Sequence, residues 1–313
     1  MKRLACTGLY GPNGEGWSTR TLAPGVRAYT PGAELWSDGL EKSRWILLPP
    51  GTKVNTQNMD EWVFPVGTKL WKEFRWQGRR IETRLLWKQG EAKWLRTTYR
   101  WNHEETEATE LTTGEVDVPG THHHEIPTQR QCSNCHDGKR DTVLGFEALA
   151  LSTGAASGVT LKQLTEEGLL THPPTSVPSV PGTEKERAAL EYLHMNCGVS
   201  CHNGNLMSLG RTSGLLMRLE WGELASTAAT DAYRTAVGAK PVSLVGAGQD
   251  KASSLRVAPG RTQDSLILSR MLSREKDVQM PPLGTHTVDT KGVATLQAWI
   301  EGMNSAPQAA DTP

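Results

Sequence analysis

The sequence predicts an α+β protein in which an N-terminal antiparallel β domain precedes a mostly helical region. Three observations predict it. Nine of the eleven tryptophans lie before residue 102, in a stretch cut by glycine and proline into short alternating segments. From about residue 140 the apolar pattern shifts toward helical spacing. Between the two regions, and again within the second, cysteines occur in close pairs each followed at once by a histidine.

The strands come first. "RRIETRLLWKQG" places Ile81, Thr83, Leu85 and Trp87 on one face and Glu82, Arg84 and Leu86 on the other, a period of two. "KLWKEFRW" precedes it across Gln77 and Gly78, and "AKWLRTTYRW" follows it across Gln89, Gly90 and Glu91. Three strands joined by short turns make a meander. Upstream, "WILLPPGTKV" predicts a hairpin turning at Pro49, Pro50 and Gly51. Alternation accounts for the tryptophans as packing residues. The β-rich domain is assigned to residues 1–125.

Residues 126–182 hold the first cysteine pair and a linker, ending in "THPPTSVPSVPG", whose four prolines forbid regular helix. Thr183 followed by Glu186 is a capping box opening the helix "EKERAALEYLHMN", with Ala189, Leu190 and Leu193 as its buried stripe. Asp289 caps "TKGVATLQAWIEGM", where Val293, Leu296, Trp299 and Ile300 recur at helical spacing. These two helices bracket a domain over 183–304, and residues 305–313 read as a disordered tail.

Lys plus Arg and Asp plus Glu both total 34, so no net charge draws the chain to nucleic acid. No run of about 18 apolar residues predicts a transmembrane segment. The opening "MKRLACTGLY" lacks the apolar core of an export signal, and only five residues precede Cys6, too few for a lipoprotein leader.

In "RQCSNCHDGK", Cys132 and Cys135 have the spacing that reaches two vinyl groups of one porphyrin, and His136 follows where a ring can ligate iron beneath it. A zinc ribbon wants its two pairs about 15 to 20 residues apart; here 61 residues separate Cys135 from Cys197. A redox dithiol would open a helix in a βαβ unit, a pattern this chain lacks. The second site, "NCGVSCHNG", has Cys197, Cys201 and His202, with one residue more between the thiols. Met280, in "VQMPPLG", is the expected distal ligand, because two prolines restrict the backbone that presents its sulfur.

Helix, "CGVSCH", "VQMPPLG" and "GVATLQAWI" in that order resemble a class I cytochrome c domain. More widely, "LAPGVRAYTPGAELWSDGLEKSRWILLPPGTKV", "WVFPVGTKLWKEF", "ETRLL" and "IPTQRQCSNCH" resemble a family of bacterial dihaem c-type cytochromes with a β-rich N-terminal region. The resemblance implies two covalently bound haems c, a cytochrome c-like fold for the helical region, and electron transfer with a redox partner of unknown identity. It also implies a periplasmic or otherwise extracytoplasmic location. The extra residue between Cys197 and Cys201 departs from the family's usual spacing and leaves open whether both thioether bonds form.

The first haem has no obvious distal partner. His124 is the leading candidate, beside His103, His122, His123, His172 and His194, and His286 competes with Met280 for the second iron. Arg261 is a candidate partner for a haem propionate, since guanidinium matches carboxylate geometry. Two other readings stay open: a dihaem peroxidase-like enzyme with an open site on the first haem, and a zinc-binding interaction module.

Overall fold

The computed structural model describes residues 1–11, 14–242 and 254–303. Its centre is an antiparallel sheet of β1 (Val26–Thr30), β2 (Glu41–Leu47), β3 (Lys69–Trp76), β4 (Arg79–Gly90), β5 (Lys93–Trp101), β6 (Ala108–Glu110) and β7 (Ser157–Gly158). The strand order is β6-β5-β4-β3-β2-β1-β7. Strands β3, β4 and β5 are the expected meander. Gln77 and Gly78 both take positive φ, 49° and 77°, as a two-residue turn matched to strand twist requires.

One face of the sheet carries Trp71, Leu85, Tyr99 and Trp101, covered by Leu4, Leu9 and Tyr10 of the N-terminal segment. Trp17 stacks on Trp101 with ring centroids 5.1 Å apart, and the Arg20 guanidinium lies over both. The tryptophans there are packing residues. On the other face, Ile46, Leu70 and Leu86 join a core with Phe64, Phe146 and Leu164. Ile81 departs from the simple alternation. The register jumps from Phe74↔Glu82 to Arg75↔Arg80, leaving Ile81 as the extra residue of a bulge. It packs with Phe74, Val118 and Ile126, away from Leu85, because a bulge breaks the period of two.

The hairpin expected in "WILLPPGTKV" is not formed. The turn exists, with Thr52 N–H donating to the Pro49 carbonyl at 3.2 Å. Its second arm instead leaves the sheet, where Val54 bridges Leu170 in parallel, and β2 pairs with β3. The sheet's last strand, β7, comes from the 126–182 segment and pairs with β1.

The expectation of a mostly helical cytochrome c-like domain is overturned. Helix of all kinds makes up only 24% of the described residues, and beside the seven-stranded sheet stand six short α-helices. These are α1 (Cys132–His136), α2 (Leu161–Glu166), α3 (Glu184–Leu193), α4 (Asp231–Ala236), α5 (Leu266–Leu272) and α6 (Thr290–Gly302). The apolar run after residue 140 folds as successive turns, such as Leu151 N–H to Glu147 O and Ser152 N–H to Leu149 O. Two genuinely amphipathic segments do not extend their period to the residues between them, where glycine, proline, serine and threonine are frequent.

Those two helices form where expected. Thr183 and Glu186 make the capping box of α3, and Asp289 accepts from Gly292 N–H at the start of α6. A Cβ at Gly292 would lie 2.3 Å from the Tyr192 ring, so glycine there permits the close crossing of α3 and α6. Ala189, Leu193, Val293, Leu296, Trp299 and Ile300 share the resulting core. Among the described residues no helix is long and apolar enough to cross a membrane. The predicted tail, 305–313, and residue 304 lie outside the described residues.

Candidate functional site

The second cysteine pair borders a cavity of about 480 Å³. Cys197, Cys201, His202 and Met280 all line it, with Leu215 and Ile267 among the apolar residues of its wall. That is the size and character of a cofactor site. His202 Nδ1 lies 3.3 Å from Ser213 Oγ, and the Leu215 backbone also acts on the ring. With the Ser213 hydroxyl at Nδ1, Nε2 is the candidate ligating nitrogen. Burial holds the ring's pKa below its ordinary value, so the imidazole is neutral and competent as a ligand.

The extra residue in "CGVSCH" has a structural answer. Residues His194–Gly198 form a π turn, and the wide pattern continues as His202 N–H donates to the Cys197 carbonyl five residues back, at 2.8 Å. A π turn takes up one more residue than an α turn. In α1 the histidine stands four residues after the first cysteine; in the second site it stands five after. Both thiols still face one cavity.

Met280 is held from several sides. Its N–H donates to Arg270 O at 2.9 Å, and Arg274 donates to the carbonyls of Met271, Met280 and Thr287. The N-terminal region closes over the same loop. Trp36 lines the cavity, donates from Nε1 to Thr287 O and accepts its place from Asn196, whose Oδ1 takes the Trp36 N–H at 2.7 Å. Asp38 Oδ1 accepts from His286 N–H, Thr287 N–H and Thr287 Oγ1, each at 2.9 Å. His286 turns its ring to Glu125, 3.0 Å away, and is not among the cavity residues. Arg261 pairs with Asp264 at 3.0 Å away from the cavity; Arg256, Arg270 and Arg274 line it instead. Arg256 and Arg274 spend their bonds on backbone carbonyls and one threonine hydroxyl.

The first pair lies on the sheet. Thr128 and Gln131 form a capping box that leads into α1. His136 Nδ1 bonds the Thr142 carbonyl at 2.6 Å, where the second site has the Ser213 hydroxyl at His202 Nδ1, and burial lowers the His136 pKa to about 4. Arg96 of β5 pairs with Asp137 at 2.6 Å. Asp141 accepts from Lys88 at 2.9 and 2.8 Å, from Trp94 Nε1 at 2.8 Å and from Phe64 N–H at 2.6 Å. Two buried or half-buried ion pairs thus fasten the attachment segment to β4 and β5.

The two attachment segments touch. A Cβ at Gly138 would lie 2.1 Å from Ser200 O and 3.4 Å from Ser208 Cβ, and the Cys201 charge acts on the Cys135 thiol. Burial raises all four thiols, Cys135 to about 11 and Cys197 to about 12. A redox dithiol needs the opposite shift.

His124 is buried, with Nε2 2.8 Å from Glu82 Oε1 and its Nδ1 without a partner. Glu82 in turn holds Arg84, whose charge acts on both Cys132 and Cys135. His122 stacks on Trp76, His123 faces Asp117, His172 bonds Thr171, and His103 is exposed. His194 Nδ1 accepts from Leu219 N–H and its Nε2 lies 2.8 Å from Glu147. Among the described residues no three His, Cys, Asp or Glu side chains are grouped to hold a metal ion, so the shell of a closed zinc site is not assembled.

Trp36, Asp38, Arg256 and Arg274 were not visible as site residues in the sequence, because nothing local ties them to the cysteines. No protein-family model matches the chain, and no curated protein or solved structure matches it either.

Proposed function

We propose that this chain is a dihaem c-type protein that passes electrons. Cys132 and Cys135 would hold one haem, with His136 to ligate its iron, and Cys197 and Cys201 would hold the other, with His202 and Met280 as the ligands its iron would take. The observation that carries the reading is the shared cavity. Met280, far along the chain from His202, lines the same apolar space as both thiols and the imidazole. Neither the zinc nor the dithiol reading calls for a methionine there.

Bound haem supplies one-electron chemistry at iron. The chain's own residues do the rest. The Thr142 carbonyl and the Ser213 hydroxyl orient the two imidazoles, Trp36 and the proline-flanked loop cover the second site, and the Gly138–Ser200 contact brings the attachment segments side by side. A thioether ligand stabilises ferrous iron, which makes the second haem the one of higher potential. A periplasmic or otherwise extracytoplasmic location follows from covalent haem attachment, and the electrons pass to a partner protein.

Protein matured with haem-attachment machinery tests this directly. Its mass is expected to exceed that of the polypeptide by two haems, and reduction is expected to give sharp α bands. Met280→Ala should keep both haems and abolish the weak near-infrared sulfur-to-iron band. A colourless protein of bare polypeptide mass refutes the proposal. Carbon monoxide binding to the first haem of the wild type would instead assign it an open, peroxidase-like site.

A further inference from the structure

The sheet face beneath α1 carries a row of cations. Arg44 of β2 is in register with Lys72 of β3, and Lys72 with Arg84 of β4. The three side chains therefore stand in line across three strands. Lys42 lies on the same face, two residues before Arg44. Like charges directly opposite in an antiparallel pair are destabilising, and here two such pairs are adjacent.

The carboxylates within reach do not neutralise the row. Glu34 serves Arg44 at 2.9 Å and Lys42 at 3.6 Å. Glu82 is committed to Arg84 through two bonds and to His124. Lys72 has only the Phe74 ring, 4.7 Å from its ammonium; among the described residues no carboxylate pairs with it. Four basic side chains thus face two carboxylates, an excess of two basic groups. Burial, then Arg44, Lys42 and Arg84, hold Lys72 well below its ordinary pKa.

The row looks onto the first attachment segment. Lys72 acts on Cys135 and His136, and Arg84 on Cys132, Cys135 and His136. Arg96, on the same face of β5, is bound to Asp137 directly after His136.

We infer that Arg44, Lys72 and Arg84 form a seat for carboxylates, and that its occupants are the two propionates of the haem attached at Cys132 and Cys135. The inference rests on the dihaem reading. It gives the β-sheet a role in binding the cofactor: two anionic groups match the two basic groups in excess, and guanidinium and ammonium are the groups that recognise them. The row also raises the reduction potential of that haem, because nearby positive charge favours the ferrous state over the more positive ferric one.

The test is a redox titration of matured wild-type, Lys72→Gln and Lys72→Arg proteins, each checked for two haems by mass and for folding by circular dichroism. Lys72→Gln is expected to lower the potential of the first haem, leave the second unchanged and shift the pH dependence of the first. Lys72→Arg should restore wild-type behaviour. Equal first-haem potentials in wild type and Lys72→Gln, with both haems retained, overturn the assignment. A second arm separates this failure from failure of the dihaem reading. Unmatured wild type and Lys72→Gln are melted with and without sulfate. If wild type never takes up haem yet sulfate raises its Tm and not that of Lys72→Gln, the row seats a free oxyanion and the propionate assignment falls. If neither arm separates the two proteins, there is no anion seat.

Discussion

The joint between the first attachment segment and the sheet offers the most quantitative test. Lys88 is 1% exposed and Asp141 6%, and the carboxylate also accepts Phe64 N–H and Trp94 Nε1–H. Lys88→Met removes the countercharge and leaves a buried carboxylate, a loss of about 3–5 kcal/mol. Combining it with Asp141→Leu removes the stranded charge. The double variant does not return to wild type, because Phe64 N–H loses its acceptor at a cost of about 1–3 kcal/mol, while the half-exposed Trp94 indole can turn to water. The expected order of stability is wild type, then the double variant, then Lys88→Met. Urea unfolding followed by tryptophan fluorescence, extrapolated linearly, reads all three. The carbonyl that orients His136 belongs to Thr142, the next residue after Asp141, so on the proposed dihaem reading Lys88→Met should also broaden the redox transition of a haem attached at Cys132 and Cys135. A loss below about 1 kcal/mol in Lys88→Met, or a double variant no better than the single, would show that Asp141 does not fasten this segment.

Other expectations follow from the same geometry. Gly138→Ala forces a Cβ against Ser200 O and should destabilise by about 1–3 kcal/mol, whereas Gly154→Ala, with nothing within 4 Å, should be near neutral; similar melting temperatures for the two would refute the contact. Asp38→Ala removes three bonds to the loop after Met280, so on the proposed dihaem reading cyanide should gain access to a haem held at Cys197 and Cys201 about tenfold or more; unchanged cyanide affinity of the matured protein counts against the bracing role. His194 accepts a hydrogen bond from Leu219 N–H, so its ring is neutral when folded, and burial, with Arg218 and Lys139 nearby, holds its pKa at about 3. An unfolded ring takes a proton below about 6.5. Between these values the unfolded state binds more protons, so stability rises with pH and is lost on acidification from about 6.5 toward 3, by at most about 1.4 kcal/mol per pH unit. His194→Gln should flatten that limb. Glu220, raised to about 7 chiefly by burial, acts in the opposite sense between about 4.3 and 7 in both proteins. Parallel stability curves for wild type and His194→Gln would exclude His194 as the source.

The sequence by itself determined whatever depends on neighbours within a few residues. Alternation in "RRIETRLLWKQG" and the Gln77–Gly78 turn set the meander, Thr183 with Glu186 and Asp289 set the starts of α3 and α6, and the cysteine spacing set the candidate attachment sites. Even there the reach was short, since two amphipathic helices suggested a helical domain where most of the intervening chain forms turns. Only the tertiary structure decided which distant groups meet. It bulged Ile81 onto the far face, brought Trp36 and Met280 to one cavity, set Gly138 against Ser200, and lined up Arg44, Lys72 and Arg84. Strand register and loop packing join residues tens to hundreds of positions apart. No local spacing carries that information, because the contacts are selected by burial and charge pairing summed over the whole fold.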